Sequence, residues 1–276
     1  MEPEIEIWID LAEATWLDEL YVHAETIFRD CSLPSHDHTH HMRVWNLCKT
    51  ILREINSFNS GIDQSLVEGV LVAAFFHDLG MAYSTREDHG RLGSDQCRSW
   101  FMETGRDQPE RFEEILKAIE LHDRKDIQIY TSFDRETPPE ILGILSVADD
   151  LEALGTIGIF RYAEIYLQRG IALEELGIRI LENARSRFEN LSGGCQLCQG
   201  LTEAYRPQYD ELRLFFEQYN DQLKSTRQPE TVFSGPLGVI NYIRTAGKAG
   251  TNGLQTGNEI KNFFRKLENE LDQARI

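Results

Sequence analysis

Apolar side chains recur every three or four positions along most of this chain, which is the spacing of an amphipathic helix. From Leu11 to Asp30 they predict one such helix, which ends before Pro34 because proline disfavours helix in the residue before it. The same spacing predicts further helices over approximately residues 40–52, 64–78, 94–102, 109–121, 137–154, 159–167, 172–188, 201–223, 237–243 and 258–274. No stretch of convincing length alternates apolar and polar residues as a strand does. The predicted fold class is therefore all-α.

Glycine and proline predict where several of these helices begin and end. Gly80 suits the left-handed position just past a helix end, and Pro109 fits the first turn of the helix near it. The segment Thr137-Pro138-Pro139-Glu140 predicts a helix start with a capping threonine, a proline in the first turn and a glutamate at the third position. The predicted loops cover residues 124–136, 226–236 and 246–257. The last of these holds four glycines around Lys248, but it lacks the G-x-x-x-x-G-K-[ST] order of a phosphate-binding loop.

The charge balance limits the partners that the protein can take. Lys and Arg number 28 against 46 Asp and Glu, which gives a formal net charge of −18. Such a field repels polyanions, so we expect no nucleic-acid polymer as a partner. A small phosphorylated ligand stays compatible with this charge, because a bound metal ion inverts the local potential.

The first residues and the cysteines indicate the compartment. Met1-Glu2-Pro3-Glu4 is acidic and lacks the basic region of a signal peptide, and the longest apolar runs are far shorter than the ~20 residues of a membrane helix. We therefore expect no membrane partner and a cytoplasmic protein. Five cysteines do not make a disulfide framework. Cys195 and Cys198 form a lone C-x-x-C. A structural zinc site needs four ligands, which this pair alone does not supply. An incidental pair and a metal or redox pair both stay open.

Several polar residues stand beside apolar helix positions. His77 and Asp78 follow the apolar run from Val70 to Phe76, and burying an imidazole and a carboxylate there is costly unless a partner satisfies them. A hydrogen-bonded core pair would do so, and so would a divalent metal. His40 and Asp149 are placed similarly, on the apolar faces of two other predicted helices. The run from His36 to His41 is either part of such a site or a surface feature.

In chain order, these four residues and their flanks resemble the H…HD…D signature of the HD-domain metal-dependent phosphohydrolases. His36-Asp37-His38-Thr39-His40-His41-Met42-Arg43-Val44 resembles the HDxxHxxRV segment of that family. Ala73-Ala74-Phe75-Phe76-His77-Asp78-Leu79-Gly80 resembles AALLHDIG, and Ala148-Asp149-Asp150-Leu151-Glu152-Ala153-Leu154-Gly155 resembles ADxLDALG. The resemblance covers about half of the chain, from Cys31 to Arg161.

The resemblance implies an HD-domain helical bundle with additional C-terminal helices. It implies a divalent ion held by His40, His77, Asp78 and Asp149, a mixed nitrogen and oxygen set that suits Mn, Fe, Zn, Ni or Co without choosing between them. The ion would activate a water molecule for hydrolysis of a phosphate monoester or anhydride in a small metabolite or nucleotide. We divide the chain into a bundle over 1–170 and a helical extension over 171–276 that packs on it, and a homo-oligomer is compatible with this arrangement.

Further residues are candidates for supporting roles. His89 and His122 could protonate the leaving oxygen, orient phosphate or bind a second metal ion, or they could be structural. Arg43 and Arg161 are candidates for contacts to phosphate or for ion pairs, and Glu152 for a hydrogen bond that orients a ligand histidine. His41 lies about 100° around the helix from His40 and is expected to support the ligands or to be exposed.

One position departs from the family pattern, and it keeps other functions open. Many members have a lysine after the glycine of H-D-[IL]-G, and this chain has Met81 there. A metal-binding sensor without catalysis is one alternative function. The other is a di-iron oxygenase, for which His89 and His122 would complete a set of six ligands.

Overall fold

The computed structural model describes residues 4–31, 33–58, 61–124, 138–193, 196–246 and 258–273. Every regular element in these ranges is helical, so the predicted all-α class is confirmed. The α-helices are α1 Glu4–Ala12, α2 Asp18–Phe28, α3 His38–Asn56, α4 Gln64–Phe76, α5 His89–Thr104, α6 Phe112–Leu121, α7 Ile141–Glu152, α8 Gly155–Gln168, α9 Leu173–Ser192, α10 Gln196–Lys224, α11 Gly235–Ala246 and α12 Asn258–Gln273. A π-helical turn at Glu13–Leu17 joins α1 to α2, and short 3-10 turns lie at Pro34–His36, Leu79–Ala82 and Pro229–Thr231.

The chain divides into two compact units. The first contains residues 1–151 and 190–202, and the second contains residues 152–189 and 203–276. In this division α8 groups with the C-terminal helices, whereas the boundary predicted from the sequence lies after it, at residue 170. The organisation into 1–170 and 171–276, with the extension packed on the bundle, stays a prediction.

The N-terminal helices cover one side of the first unit. The helix predicted from Leu11 begins earlier, at Glu4, and the π-helical turn interrupts it. At that turn, the Glu13 carboxylate accepts hydrogen bonds from Trp45 Nε1 at 2.7 Å and from Lys49 Nζ at 2.8 Å. These bonds, together with the buried ring of Trp16, attach the N-terminal helices to α3 and α4.

The central helix of the first unit is α4, and its burial follows from its composition. Ten of its residues, from Leu66 onwards, are buried, and nearly all of them are apolar. Within the described residues one segment, Gln64–Ala82, is long and apolar enough to span a membrane by length and composition alone. Because 83% of that segment's apolar window is buried inside the structure, it has the surroundings of a core helix.

The chain after α4 approaches α5 very closely, and this corrects the interpretation of Gly80. The backbone φ of Gly80 is not in the left-handed region, so Gly80 does not end α4 as predicted. It lies in the 3-10 turn, where an added Cβ would stand 1.9 Å from the carbonyl oxygen of His89. A second close approach occurs at Gly90, where a Cβ would lie 2.7 Å from the Glu120 carbonyl oxygen near the end of α6. Because these two glycines have no side chain, the turn after α4, the start of α5 and the end of α6 can lie close together.

Two helix starts differ from the sequence prediction. Helix α5 begins at His89 and not near Ser94. Its first residues lack an apolar pattern, and His89, Gly90 and Gly93 are nevertheless buried. Helix α6 begins at Phe112, so Pro109 precedes the helix and does not occupy its first turn. For α7, Pro138 to Glu140 precede the first helical residue, Ile141, and Thr137 lies outside the described residues.

The second unit has its own core, built from the inner faces of α8 to α12. Its fully buried members include Ala163, Leu176, Ile180, Leu212, Phe216, Tyr219, Ile240 and Ile260. The hydroxyl of Tyr219 donates a hydrogen bond of 2.9 Å to the carbonyl oxygen of Leu173, which satisfies it inside this core. The predicted C-terminal helices are confirmed as α10, α11 and α12. The glycine-rich segment 247–257, the loop 125–137 and Cys195 lie outside the described residues, whereas Cys198 is buried.

Candidate metal centre

The first turn of α3 fixes the position of His40. Asp37 directly precedes α3, and its Oδ1 accepts hydrogen bonds from the backbone N–H groups of Thr39 at 2.9 Å and of His40 at 3.3 Å. This is N-cap geometry, which satisfies donors that have no partner within the helix. The imidazoles of His36, His40 and His41 are buried and that of His38 is half-buried, so most of the histidine run lies inside the protein.

His77 and Asp78 occupy the turn that directly follows α4. The Nδ1 atom of His77 lies 2.9 Å from the carbonyl oxygen of Ala74. A carbonyl only accepts hydrogen bonds, so Nδ1 carries the hydrogen and Nε2 keeps its lone pair. The carbonyl is one of those that a helix end leaves without a partner in the helix. His41 Nδ1 reaches the same oxygen at 3.1 Å, so this imidazole supports the turn from inside the core and is not exposed.

Four side chains converge from α3, the turn after α4, and α7. His40 Nε2 lies 3.1 Å from His77 Nε2 and 3.2 Å from Asp78 Oδ2, and His77 Nε2 lies 3.4 Å from the same oxygen. Asp149 Oδ1 lies 3.9 Å from both nitrogens. An ion that binds its ligands at 2.0–2.2 Å separates neighbouring ligand atoms by about 3.0–3.5 Å. His40, His77 and Asp78 have this spacing, and the 3.9 Å from Asp149 to both nitrogens is slightly wider, so the four side chains of this first group could hold one ion after a small movement of Asp149.

Asp78 also belongs to a second group. Its other oxygen, Oδ1, lies 3.2 Å from His122 Nε2 and 3.5 Å from His89 Nε2. All three side chains are buried, and their ligand atoms lie within 4.8 Å of one another. One carboxylate thus presents one oxygen to each group, which is the arrangement that a carboxylate bridging two ions requires.

The imidazoles of the second group are oriented in the same way as that of His77. His89 Nδ1 lies 2.7 Å from the carbonyl oxygen of Arg86, and His122 Nδ1 lies 2.8 Å from that of Ile119. In each case the acceptor is the carbonyl three residues earlier. Both imidazoles therefore carry a hydrogen on Nδ1, and both Nε2 atoms point towards Asp78. This is the orientation that a metal ligand needs.

Burial and mutual charge set the protonation of the group when no ion is bound. Burial raises the pKa of Asp78, but the neighbouring histidines His77, His122 and His40 outweigh it and hold that pKa well below its usual value. Burial lowers the pKa of His77 below its usual value. Burial also acts to lower the pKa of His122, but the hydrogen bond and charge of Asp78 raise it to about 9. In the absence of a cation, a proton on His122 therefore balances the ionised Asp78 at neutral pH.

The predicted supporting residues lie in other contacts. Arg43 is buried, and its Nη1 donates a hydrogen bond of 2.9 Å to Thr39 Oγ1 in the first turn of α3. Arg161 forms a buried ion pair with Glu152 inside the second unit. The roles of Arg43 and Arg161 towards phosphate, and of Glu152 towards a ligand histidine, stay predictions.

Sequence reasoning named all six residues of the two groups but not the sharing of Asp78 between them. A signal was present only for the orientation of two of the imidazoles. His77 and His122 are each the first residue past a helix, where the imidazole can turn back to a terminal carbonyl. His89 begins α5, and only the close approach at Gly80 brings it to Asp78. That approach depends on contacts distant in sequence, which a helical pattern does not encode.

Comparison with known proteins identifies one family. The family model described as HD domain matches residues 38–154, less than half of the chain's 276 residues. The matched range contains every residue of both groups. Neither the curated proteins nor the solved structures contained a match.

Proposed function

We propose that the protein is a metal-dependent phosphohydrolase acting on a small phosphorylated metabolite or nucleotide, because residues 38–154 match the HD-domain family model. Proteins with this domain are usually metal-dependent hydrolases. The observation that supports the proposal is the first group of buried ligands, whose nitrogen and oxygen atoms are spaced for one ion.

The residues fit a divalent ion in chemistry as well as in spacing. Buried imidazole and carboxylate groups are costly without partners, and a cation compensates all of them at once. His77 presents a bare Nε2, and Asp78 stays ionised far below neutral pH, so both are ready to bind. A set of two imidazoles and two carboxylates suits Mn, Fe, Zn, Ni or Co.

A bound ion of this kind supplies Lewis acidity and lowers the pKa of a water molecule from 15.7 to about 7. The positions of the side chains fix where an ion would bind. His40, His77 and Asp149 lie beside Asp78 on the side of its Oδ2 atom, and His89 and His122 lie on the side of its Oδ1 atom. His122 has two possible tasks that exclude each other. As an imidazolium it carries a proton that it can donate to a leaving oxygen, and as a metal ligand it must first lose that proton.

The charge of the chain favours a small substrate over a polymer. A net charge of −18 repels nucleic-acid backbones. A single phosphoryl group is less affected, because bound cations would neutralise the negative charge of the carboxylates at the site. A membrane partner is not part of the proposal, and neither a cytoplasmic location nor a homo-oligomer is needed for it.

The test is a phosphate-ester panel, assayed with the metal-free protein reloaded with Mn, Fe, Co, Ni or Zn. We expect hydrolysis of some esters that requires added metal and is lost in Asp78→Asn, a change that keeps the side chain's shape but removes its charge. The matched control is Asp95→Asn, an exposed carboxylate that pairs with Arg91 on the surface of α5. Turnover that survives in Asp78→Asn, or none with any metal, would refute the proposal.

The second group supports one other function. A di-iron oxygenase needs two ions held by six ligands, and the two groups together supply six side chains that share Asp78. Metal analysis and oxygen consumption separate the two functions. Hydrolysis with redox-inert Zn favours the phosphohydrolase, whereas oxygen uptake that requires iron, without ester hydrolysis, favours the oxygenase.

A protein that only senses metal gives a third pattern. Met81 stands where many members of the family have a lysine, and its side chain is buried. This function predicts that metal raises the unfolding temperature while no ester is hydrolysed.

A further inference from the structure

A chain of hydrogen bonds runs from Arg43 to the backbone of His40. Arg43 Nη1 donates to Thr39 Oγ1 at 2.9 Å, and Thr39 Oγ1 donates to Asp37 Oδ1 at 2.6 Å. The same Asp37 oxygen accepts from the backbone N–H groups of Thr39 and His40. The directions are consistent, because the guanidinium only donates, the carboxylate only accepts, and the hydroxyl does both.

This chain acts on the metal centre through the backbone of one ligand. His77, His89 and His122 are each oriented through Nδ1 by a carbonyl. For His40 the structure shows a restraint on the backbone, because Asp37 holds its N–H with both the carboxylate and the main-chain carbonyl, the latter at 3.0 Å. A loosened cap would move the first turn of α3 and, with it, the His40 Nε2 atom.

The structure contains a second hydrogen-bond chain of this kind, and it does not lie next to a candidate metal ligand. At the start of α4, Arg111 Nε donates to Ser65 Oγ at 2.9 Å, and Ser65 Oγ donates to Asp63 Oδ1 at 2.8 Å. Asp63 Oδ1 accepts from the backbone N–H of Leu66 at 2.7 Å. Ser65 precedes His77 by twelve residues, a distance of about 18 Å along a helix. Both chains link an arginine to a capping aspartate through a hydroxyl, although Arg111 Nη2 also donates directly to Asp63 Oδ2 at 2.9 Å. Only the chain at α3 lies next to a candidate metal ligand.

We propose that Thr39 and Arg43 are positioning residues of the metal centre, which act through the Asp37 cap to place His40. This inference rests on the proposed metal-dependent function. It gives Arg43 a task within the protein, in contrast to the phosphate contact predicted from the sequence. Partners that orient ligands in this way typically change metal affinity by 10–100-fold when they are removed.

The experiment compares matched variants of the two hydrogen-bond chains in the full-length protein. Thr39→Val removes the hydroxyl but keeps the branched shape, and Arg43→Met removes the donor but keeps the apolar stem. Thr39→Ser keeps the hydroxyl and loses only the methyl group. Ser65→Ala is the control at α4. The measurements are the Co²⁺ dissociation constant, the visible absorption spectrum of the Co²⁺ protein, the unfolding temperature, and the ¹⁵N shifts of the His40 imidazole in metal-free protein.

We expect Thr39→Val and Arg43→Met each to weaken Co²⁺ binding by about tenfold and to shift the absorption bands. Their double variant should lose little more than either alone, because they belong to one chain. Thr39→Ser should stay within about twofold of the wild type. Ser65→Ala should lower the unfolding temperature without changing Co²⁺ affinity or spectrum.

The inference is overturned if Thr39→Val and Ser65→Ala both lower the unfolding temperature and leave Co²⁺ affinity and spectrum unchanged, since the cap would then be only structural. A wild type that binds Co²⁺ but hydrolyses no ester refutes the phosphohydrolase without touching the positioning role. Absence of the metal site on which the proposed function depends looks different, because the wild type itself would then bind no Co²⁺. In that case the ¹⁵N shifts still decide the positioning role. A change at His40 in Thr39→Val but not in Ser65→Ala supports it, and equal spectra refute it.

Discussion

Replacing Gly80 with alanine tests the close approach that joins the two ligand groups. Gly80 is buried in the 3-10 turn after Asp78, and a Cβ there would stand 1.9 Å from the carbonyl oxygen of His89 and 2.9 Å from the backbone N of Gly93. Both atoms belong to the backbone of α5, so no side-chain rotation can relieve the contact. Either α5 or the turn after α4 has to move.

The size of the movement follows from the geometry. Real Cβ contacts stay beyond 3.0 Å, so the His89 carbonyl must retreat by at least about 1.1 Å. Overpacking of a core typically costs about 1–3 kcal/mol, and a clash between backbone atoms belongs at the upper end of that range. At roughly 2–4 °C per kcal/mol for a chain of this size, a cost of about 3 kcal/mol lowers the unfolding temperature by roughly 6–12 °C. If α5 moves, His89 moves with its own carbonyl and the second group loses its spacing; if the turn after α4 moves, Asp78 moves with it and both groups lose theirs.

Calorimetry and metal analysis measure the two effects separately. We expect Gly80→Ala to unfold at a lower temperature and to bind fewer ions per chain than the wild type. Gly200→Ala is the control, because that glycine lies in α10 with no atom within 4 Å of an added Cβ. It should be neutral or more stable by up to about 1 kcal/mol. If Gly80→Ala unfolds within about 2 °C of the wild type with an unchanged ion count, the close approach is not present in solution.

Three further predictions concern the ligands and the core of the second unit. His89→Ala removes a ligand of the second group only, so we expect plasma mass spectrometry to show that the variant keeps the ion of the first group and binds none at the second; two ions per chain in the variant would contradict the assignment. In metal-free protein, the pKa of His122 is about 9 when folded against 6.5 when unfolded, so its imidazolium stabilises the fold below pH 6.5. That contribution, at most about 3 kcal/mol, is lost as pH rises from 6.5 through 9, and urea titrations should show the loss in the wild type but not in His122→Asn. Tyr219→Phe leaves the carbonyl of Leu173 without its buried donor, and we expect a loss of about 1 kcal/mol or more in urea denaturation, whereas equal stability would show that water replaces the hydroxyl.

Helical periodicity predicted the elements well because each helix buries one face, and that face is visible in the local sequence. It predicted both ends of α12 and the end of α10 to within one residue, but it placed the start of α10 five residues too late. It could not predict the π-helical turn at Glu13–Leu17, whose carboxylate bonds to Trp45 on another helix. A polar residue that is buried by a distant partner looks like an exposed one in a local pattern. The start of α5 at His89 was missed for this reason.

Gly80 shows the same limit at the level of one residue. A glycine after a helix serves either a left-handed turn or a close approach, and the local sequence is the same in both cases. Only the position of α5 decides between them. The family motifs, in contrast, located His40, His77, Asp78 and Asp149 directly, because their order along the chain is itself informative. The double use of Asp78 needed the three-dimensional arrangement.

The carbonyls that hold His77, His89 and His122 belong to the main chain, and this limits how the centre can be varied. A side-chain partner can be exchanged by one codon change, which would tune a ligand's basicity step by step. A main-chain acceptor three residues back is present whatever amino acid occupies that position, unless the helix end itself shifts. Random substitution around these three imidazoles should therefore leave their tautomers intact. Variation in metal preference among natural or engineered versions of this chain is then expected to arise at His40 and at the two aspartates.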